Sequence, residues 1–170
     1  MNDEARTTQK LRFAKVHLEE LRSHAPMGRG DDFDRAHQEA LLAQLFGAYG
    51  SFLQELNAIL SCGLAIEGVS LGKMRDALKK RGVTSPTLVE LYQLINDGES
   101  WFSKAKAFRD HTTHIGGIPL SMYVGGPEDG KVAFKDPRSM IELPDDLEAT
   151  FRTWISEMEK LILRLRAHAS

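Results

Sequence analysis

The segment Phe108-Arg109-Asp110-His111-Thr112-Thr113-His114-Ile115-Gly116-Gly117 carries a guanidinium, a carboxylate and two imidazoles within six consecutive residues. Arg109 offers a permanent charge and forked donors, which suit a phosphate oxygen. Asp110 and His114 are spaced i, i+4, so on a helix they share a face and can hydrogen-bond. A carboxylate partner fixes an imidazole's tautomer and strengthens it as a base, as general acid–base chemistry requires. Geometry sets a condition on this set. At about 100° per residue, Arg109 and His114 point roughly 140° apart on an ideal helix. They meet at one atom only if the helix unwinds before Gly116, or if a second copy supplies one of them across a symmetric dimer axis.

Plainer roles are open to the same residues. A histidine at a helix C-terminus before Gly-Gly interacts well with the helix dipole and the open carbonyls, and Arg109 can pair with a surface carboxylate. His111 and His114, at i, i+3, can also share a metal ion, but a bundle metal site draws further ligands from other helices. His17, His24, His37 and Glu39 are available, and nothing in their spacing selects them. No metal ligand and no cofactor is therefore assigned. Gly125-Gly126-Pro127-Glu128-Asp129-Gly130 reads as a hairpin turn rather than a phosphate cradle, because no Lys-Ser/Thr pair and no helix follow it directly.

The elements that must position these groups are mostly helical. Leu11, Ala14, Leu18 and Leu21 form one apolar stripe, predicting a first helix over roughly 5–24. It ends in the breakers Ala25-Pro26-Met27-Gly28-Arg29-Gly30, after which Asp31, Asp32 and Asp34 offer cap oxygens and negative charge to the next helix. In that second helix Leu42, Leu45, Tyr49, Phe52, Leu56 and Ile59 make a broad apolar face, flanked by Phe46, Leu53 and Leu60. Such a face belongs at the centre of a bundle. Gly47 and Gly50 each cost this helix about 1 kcal/mol in propensity, an expense that close approach of another helix or a second subunit would explain.

Ser61-Cys62-Gly63 ends the second helix, and a short helix capped by Ser70 runs from about Leu71 to Arg81. Ser85-Pro86 restarts a helix with Ser at the N-cap and Pro at the first turn. Asn96-Asp97-Gly98 breaks or bends it, and Trp101, Phe102, Ala105 and Phe108 resume helical spacing up to Gly116-Gly117. Residues 118–136 then alternate in a hairpin pattern, with Met122 and Val124 on one side and Val132 and Phe134 on the other. Leu147, Phe151, Trp154, Met158, Leu161 and Leu165 define a closing helix over about 145–168. The expected fold is a single all-α domain over 1–170, a bundle of four to five main helices with a small β-hairpin before the last.

Composition agrees with one globular domain: 170 residues, 42% hydrophobic and 27% charged. A net charge of -2, from 22 basic and 24 acidic residues, supplies no strong general attraction to nucleic acid or membrane. Cys62 is the only cysteine, which excludes a disulfide scaffold. The start, Met1-Asn2-Asp3-Glu4, lacks the basic and apolar run of a signal peptide, and the apolar stretch from Ala40 to Ile66 is too polar to span a membrane. The expected compartment is the cytoplasm.

Arg109, four intervening residues and His114, with polar Asp110 directly after the arginine and late in a helix, resemble the Arg-x(4–6)-His motif of the HEPN superfamily. The resemblance covers about residues 31–117, with the hairpin and last helix as an addition. It implies a metal-independent endoribonuclease of the toxin or abortive-infection kind, acting as a homodimer with a composite site. It also implies an RNA substrate and a small nucleotidyltransferase as antitoxin partner. By residue, it implies that Arg109 binds the scissile phosphate, His114 acts as acid or base at the ribose 2′-hydroxyl, and Asp110 orients the pair. Many members of that superfamily are non-catalytic binding modules, so a helical binding or regulatory protein is the competing expectation.

Overall fold

A computed structural model describes residues 3–24 and 30–169. Six helices follow in order: α1 (Asp3–His24), α2 (Asp32–Ile59), α3 (Leu71–Lys80), α4 (Pro86–Asn96), α5 (Trp101–His114) and α6 (Leu147–Ala169). Between α5 and α6 lies a two-stranded antiparallel hairpin of β1 (Leu120–Met122) and β2 (Val132–Phe134). The all-α bundle with a small hairpin before its last helix is the expected class. No helix among the described residues is long and apolar enough to cross a membrane.

Side-chain caps account for most helix starts. Asp31, Ser70, Ser85 and Ser100 accept the backbone N–H three residues on, at the starts of α2, α3, α4 and α5. Pro86 sits in the first turn of α4, where its missing N–H costs nothing. Asn96-Asp97-Gly98 breaks the chain into two helices rather than bending one, because Ser100 opens a fresh N-terminus. Of the breaker segment expected over 25–30, all but Gly30 lies outside the described residues. Within the hairpin Leu120 stands opposite Phe134, Ser121 opposite Ala133 and Met122 opposite Val132.

Helices α1 and α2 pack antiparallel along most of their length, and α2 also touches α5 and α6. This is the central position its broad apolar face required. Leu41, Leu42, Leu45, Phe52 and Leu56 are fully buried there beside Ala14 of α1 and Phe151, Met158 and Leu165 of α6. Ile59 departs from the expected stripe and is 45% exposed, because α2 ends beside it and nothing continues the groove. Gly47 faces α1: a Cβ there would meet the Lys10 methylene at 3.3 Å. Gly50 faces open space, so internal packing explains the first glycine and not the second. One charged pair crosses the core, where Arg166 of α6 donates to both oxygens of buried Glu55 on α2, at 2.8 and 2.9 Å. The fork-to-fork geometry satisfies a carboxylate that burial would otherwise penalise.

Candidate functional site

Helix α5 is anchored at its start, along one face and at its end. Ser100 Oγ donates to the Leu94 carbonyl at 2.7 Å while accepting from Ser103 N at 3.1 Å, and Ser103 Oγ donates to the Ile95 carbonyl at 3.0 Å. The end of α4 is thereby stitched to the start of α5. Phe102, Ala105, Phe108 and Thr112 form the buried face. Phe102 meets Phe46 and Tyr49 of α2 edge-on, at centroid distances of 5.3 and 5.0 Å, and Phe108 meets Trp154 of α6 at 5.0 Å. Burial pushes the Tyr49 phenol up to about 12, so it stays neutral in this contact.

At the far end, the His111 carbonyl accepts from both Ile115 N and Gly116 N, at 2.9 and 3.1 Å. Gly116 leaves the helix with φ +143°. Gly117 lies close against α2: a Cβ there would meet the Arg35 side chain at 3.1 Å, which that side chain would have to accommodate by a small shift. Helix α5 therefore stays regular through His114 and does not unwind before Gly116.

Arg109 lies half-buried at the rim of the apolar face, its guanidinium 5.0 Å from the Phe46 ring centre. It pairs with Asp110 at 2.7 Å, while its Nε is buried and has no hydrogen-bond partner. Asp110 also accepts from Lys106 Nζ at 2.5 Å. The hydrogen bond expected between Asp110 and His114 is not formed; Lys106, one turn back, takes the carboxylate instead. Partial burial alone would raise the Asp110 carboxyl, but the Lys106 hydrogen bond and the Arg109 charge outweigh it and hold it below its ordinary value. His114 is exposed at the helix end, and His111 is half-buried with its Nδ1 unpartnered. With the helix unbroken, Arg109 and His114 diverge by the full angle of about 140°. The cleft of about 350 Å³ beside α5 is lined by Lys104, Phe108, Trp154 and the 136–145 loop, not by the expected site residues.

A second polar cluster, which the sequence reading did not select, lies where α1 meets α2. His17 and His37 approach Nδ1 to Nδ1 at 3.1 Å. Phe33 lies between His37 and His24, each ring centre 4.3 Å from its own. His24 Nε2 contacts Asp31 Oδ2 at 2.9 Å. A signal for this cluster exists in the sequence: His17 and His37 are equidistant from position 27, and His24 and Asp31 nearly so. Antiparallel packing of α1 on α2 brings both pairs together. His111 and His114, by contrast, gain no third His, Cys, Asp or Glu ligand among the described residues.

Fold and site together define an all-helical bundle whose fifth helix ends in a charged, partly exposed cluster. The chain belongs to the family of unknown function DUF6586, which it matches along residues 1–170. No curated protein and no solved structure matches it.

Proposed function

We propose that the protein is a cytoplasmic, HEPN-type endoribonuclease of the toxin or abortive-infection kind, active as a homodimer. The observation that carries the reading is the Arg109 guanidinium, held at the end of α5 by Phe46 and Asp110 with its side chain 36% exposed. Such a donor suits a phosphate oxygen. His114, on the same helix end, is open to solvent and able to exchange protons. Because the two diverge, the composite site takes Arg109 from one copy and His114 from the other.

In the reaction, the ribose 2′-oxygen attacks phosphorus, the bond to the 5′-oxygen breaks, and a 2′,3′-cyclic phosphate and a free 5′-hydroxyl result. His114 takes the 2′-hydroxyl proton or supplies one to the departing oxygen. Arg109 steadies the charge on the phosphoryl oxygens. A nucleotidyltransferase antitoxin is the partner this reading implies.

The test is cleavage of single-stranded RNA in excess EDTA, with cyclic-phosphate products, abolished by Arg109→Ala and by His114→Ala and much less affected by His111→Ala. Light scattering should show a dimer at micromolar concentration. Activity that survives His114→Ala, or a strictly monomeric protein, refutes the composite site. A second reading, a non-catalytic binding or regulatory protein, is favoured by the Asp110 pairing that occupies part of the Arg109 fork. Absence of cleavage with every RNA tried, by a folded dimer, selects it.

A further inference from the structure

We propose that His24, Asp31 and Asp34 form a site for a first-row divalent cation, Zn²⁺ or Mn²⁺, that joins the end of α1 to the start of α2. The three side chains each offer one ligand atom, and these atoms lie within 4.8 Å of one another. Metal–ligand bonds of about 2.0–2.2 Å place neighbouring ligands roughly 3 Å apart and opposite ones a little over 4 Å. The 2.9 Å separation of His24 Nε2 and Asp31 Oδ2 already matches an adjacent pair.

Hydrogen-bond accounting shows what the site lacks. Asp31 Oδ1 accepts from Asp34 N at 2.8 Å, and Asp34 Oδ2 accepts from Gly30 N at 2.9 Å. Asp34 is only 4% exposed, yet its Oδ1 has no partner. A buried carboxylate oxygen without a donor is costly, and no Lys or Arg among the described residues forms an ion pair with Asp34. Two carboxylates thus converge on a single imidazole. A doubly charged ion balances both while leaving His24 neutral, the form in which histidine ligates.

The donor set also selects among ions. One imidazole nitrogen with two carboxylate oxygens suits Zn²⁺ or Mn²⁺ better than Ca²⁺, which takes six to eight oxygens. Backbone N–H groups hold both carboxylates, and the Phe33 ring lies against His24 at 4.3 Å, so the ligands are supported from behind. Three protein ligands leave at least one position for water or an anion. This end of α2 is also where the chain leaves α5: Arg35 packs against Gly117, and Leu120 closes over Gly30.

The experiment titrates Zn²⁺ alone into tag-free full-length protein, stripped with EDTA and dialysed, with calorimetry as readout. The expected result is saturable binding at one ion per chain and a higher thermal midpoint. His24→Ala and Asp31→Ser should each weaken binding by about tenfold or more. Serine keeps an N-cap acceptor for α2, so Asp31→Ser removes the ligand and retains the helix start, which circular dichroism checks. No saturable binding by the wild-type chain overturns the proposal. So does wild-type affinity in both variants, which would place the ion elsewhere. Neither outcome touches the ribonuclease reading, whose assay runs in EDTA.

Discussion

The end of α5 and the junction of α1 with α2 both gather histidine and aspartate, in opposite arrangements, and the first adds an arginine. In α5 they are neighbours in sequence, and the helix separates them in part: Arg109 and Asp110 stay paired beside Phe46 and Lys106, while His114 points out to solvent. At the α1–α2 junction they lie on two different helices or their ends, and antiparallel packing brings them together, His17 to His37 and His24 to Asp31. A cluster along one helix is a statement about charge density; it becomes a site only if something else converges on it. In this chain a second copy would have to do that for Arg109 and His114, whereas the other cluster is assembled within one chain.

If the two regions differ in this way, substitutions should separate packing from site chemistry. The largest effect is expected for Phe52→Ala, which removes a fully buried ring from the α2 core and should cost about 3–5 kcal/mol. Arg109→Ala should cost under about 1 kcal/mol, since it loses only a half-exposed ion pair and a ring contact. Chemical denaturation compares them, and an Arg109→Ala loss as large as that of Phe52→Ala would make the arginine a structural residue.

An intermediate effect is expected at the start of α5. Ser100→Ala removes both the cap on Ser103 N and the bond to the Leu94 carbonyl, at a cost of about 1 kcal/mol. RNA cleavage should persist in this variant at temperatures where it is folded, because the far end of the helix is untouched. Loss of activity at full helicity would show that the α4–α5 stitch aims the site.

The smallest effect concerns the His17–His37 pair and is read by pH. Burial, and then the neighbouring His37, lower the His17 pKa below 6.5, against an opposing pull from Glu20. The unfolded chain therefore binds this proton more readily than the folded one. Stability is full above pH 6.5 and falls as pH drops through the lowered folded value. Denaturation at pH 7.5 and 5.5 in EDTA should show a steeper loss for the wild type than for His17→Gln. Equal slopes would mean that the ring pair carries no titration penalty.

Most helix limits, the hairpin and most of the core were legible in one dimension, because caps, breakers and apolar periodicity act within a few residues; Ile59 and the break at Asn96-Asp97-Gly98 were not. Ser70, Ser85-Pro86 and the stripe from Leu147 to Leu165 are local instructions of this kind, and the helices begin and run where they direct. The unbroken course of α5 to His114, one of two alternatives the sequence leaves open, is settled only in the folded chain. The same holds for the Glu55–Arg166 pair and for the meeting of His24 with Asp31 and Asp34. Those contacts depend on how helices lie against one another, and long-range packing sets that arrangement. Residue spacing measures angles around one helix; only the packed bundle decides which angles face each other.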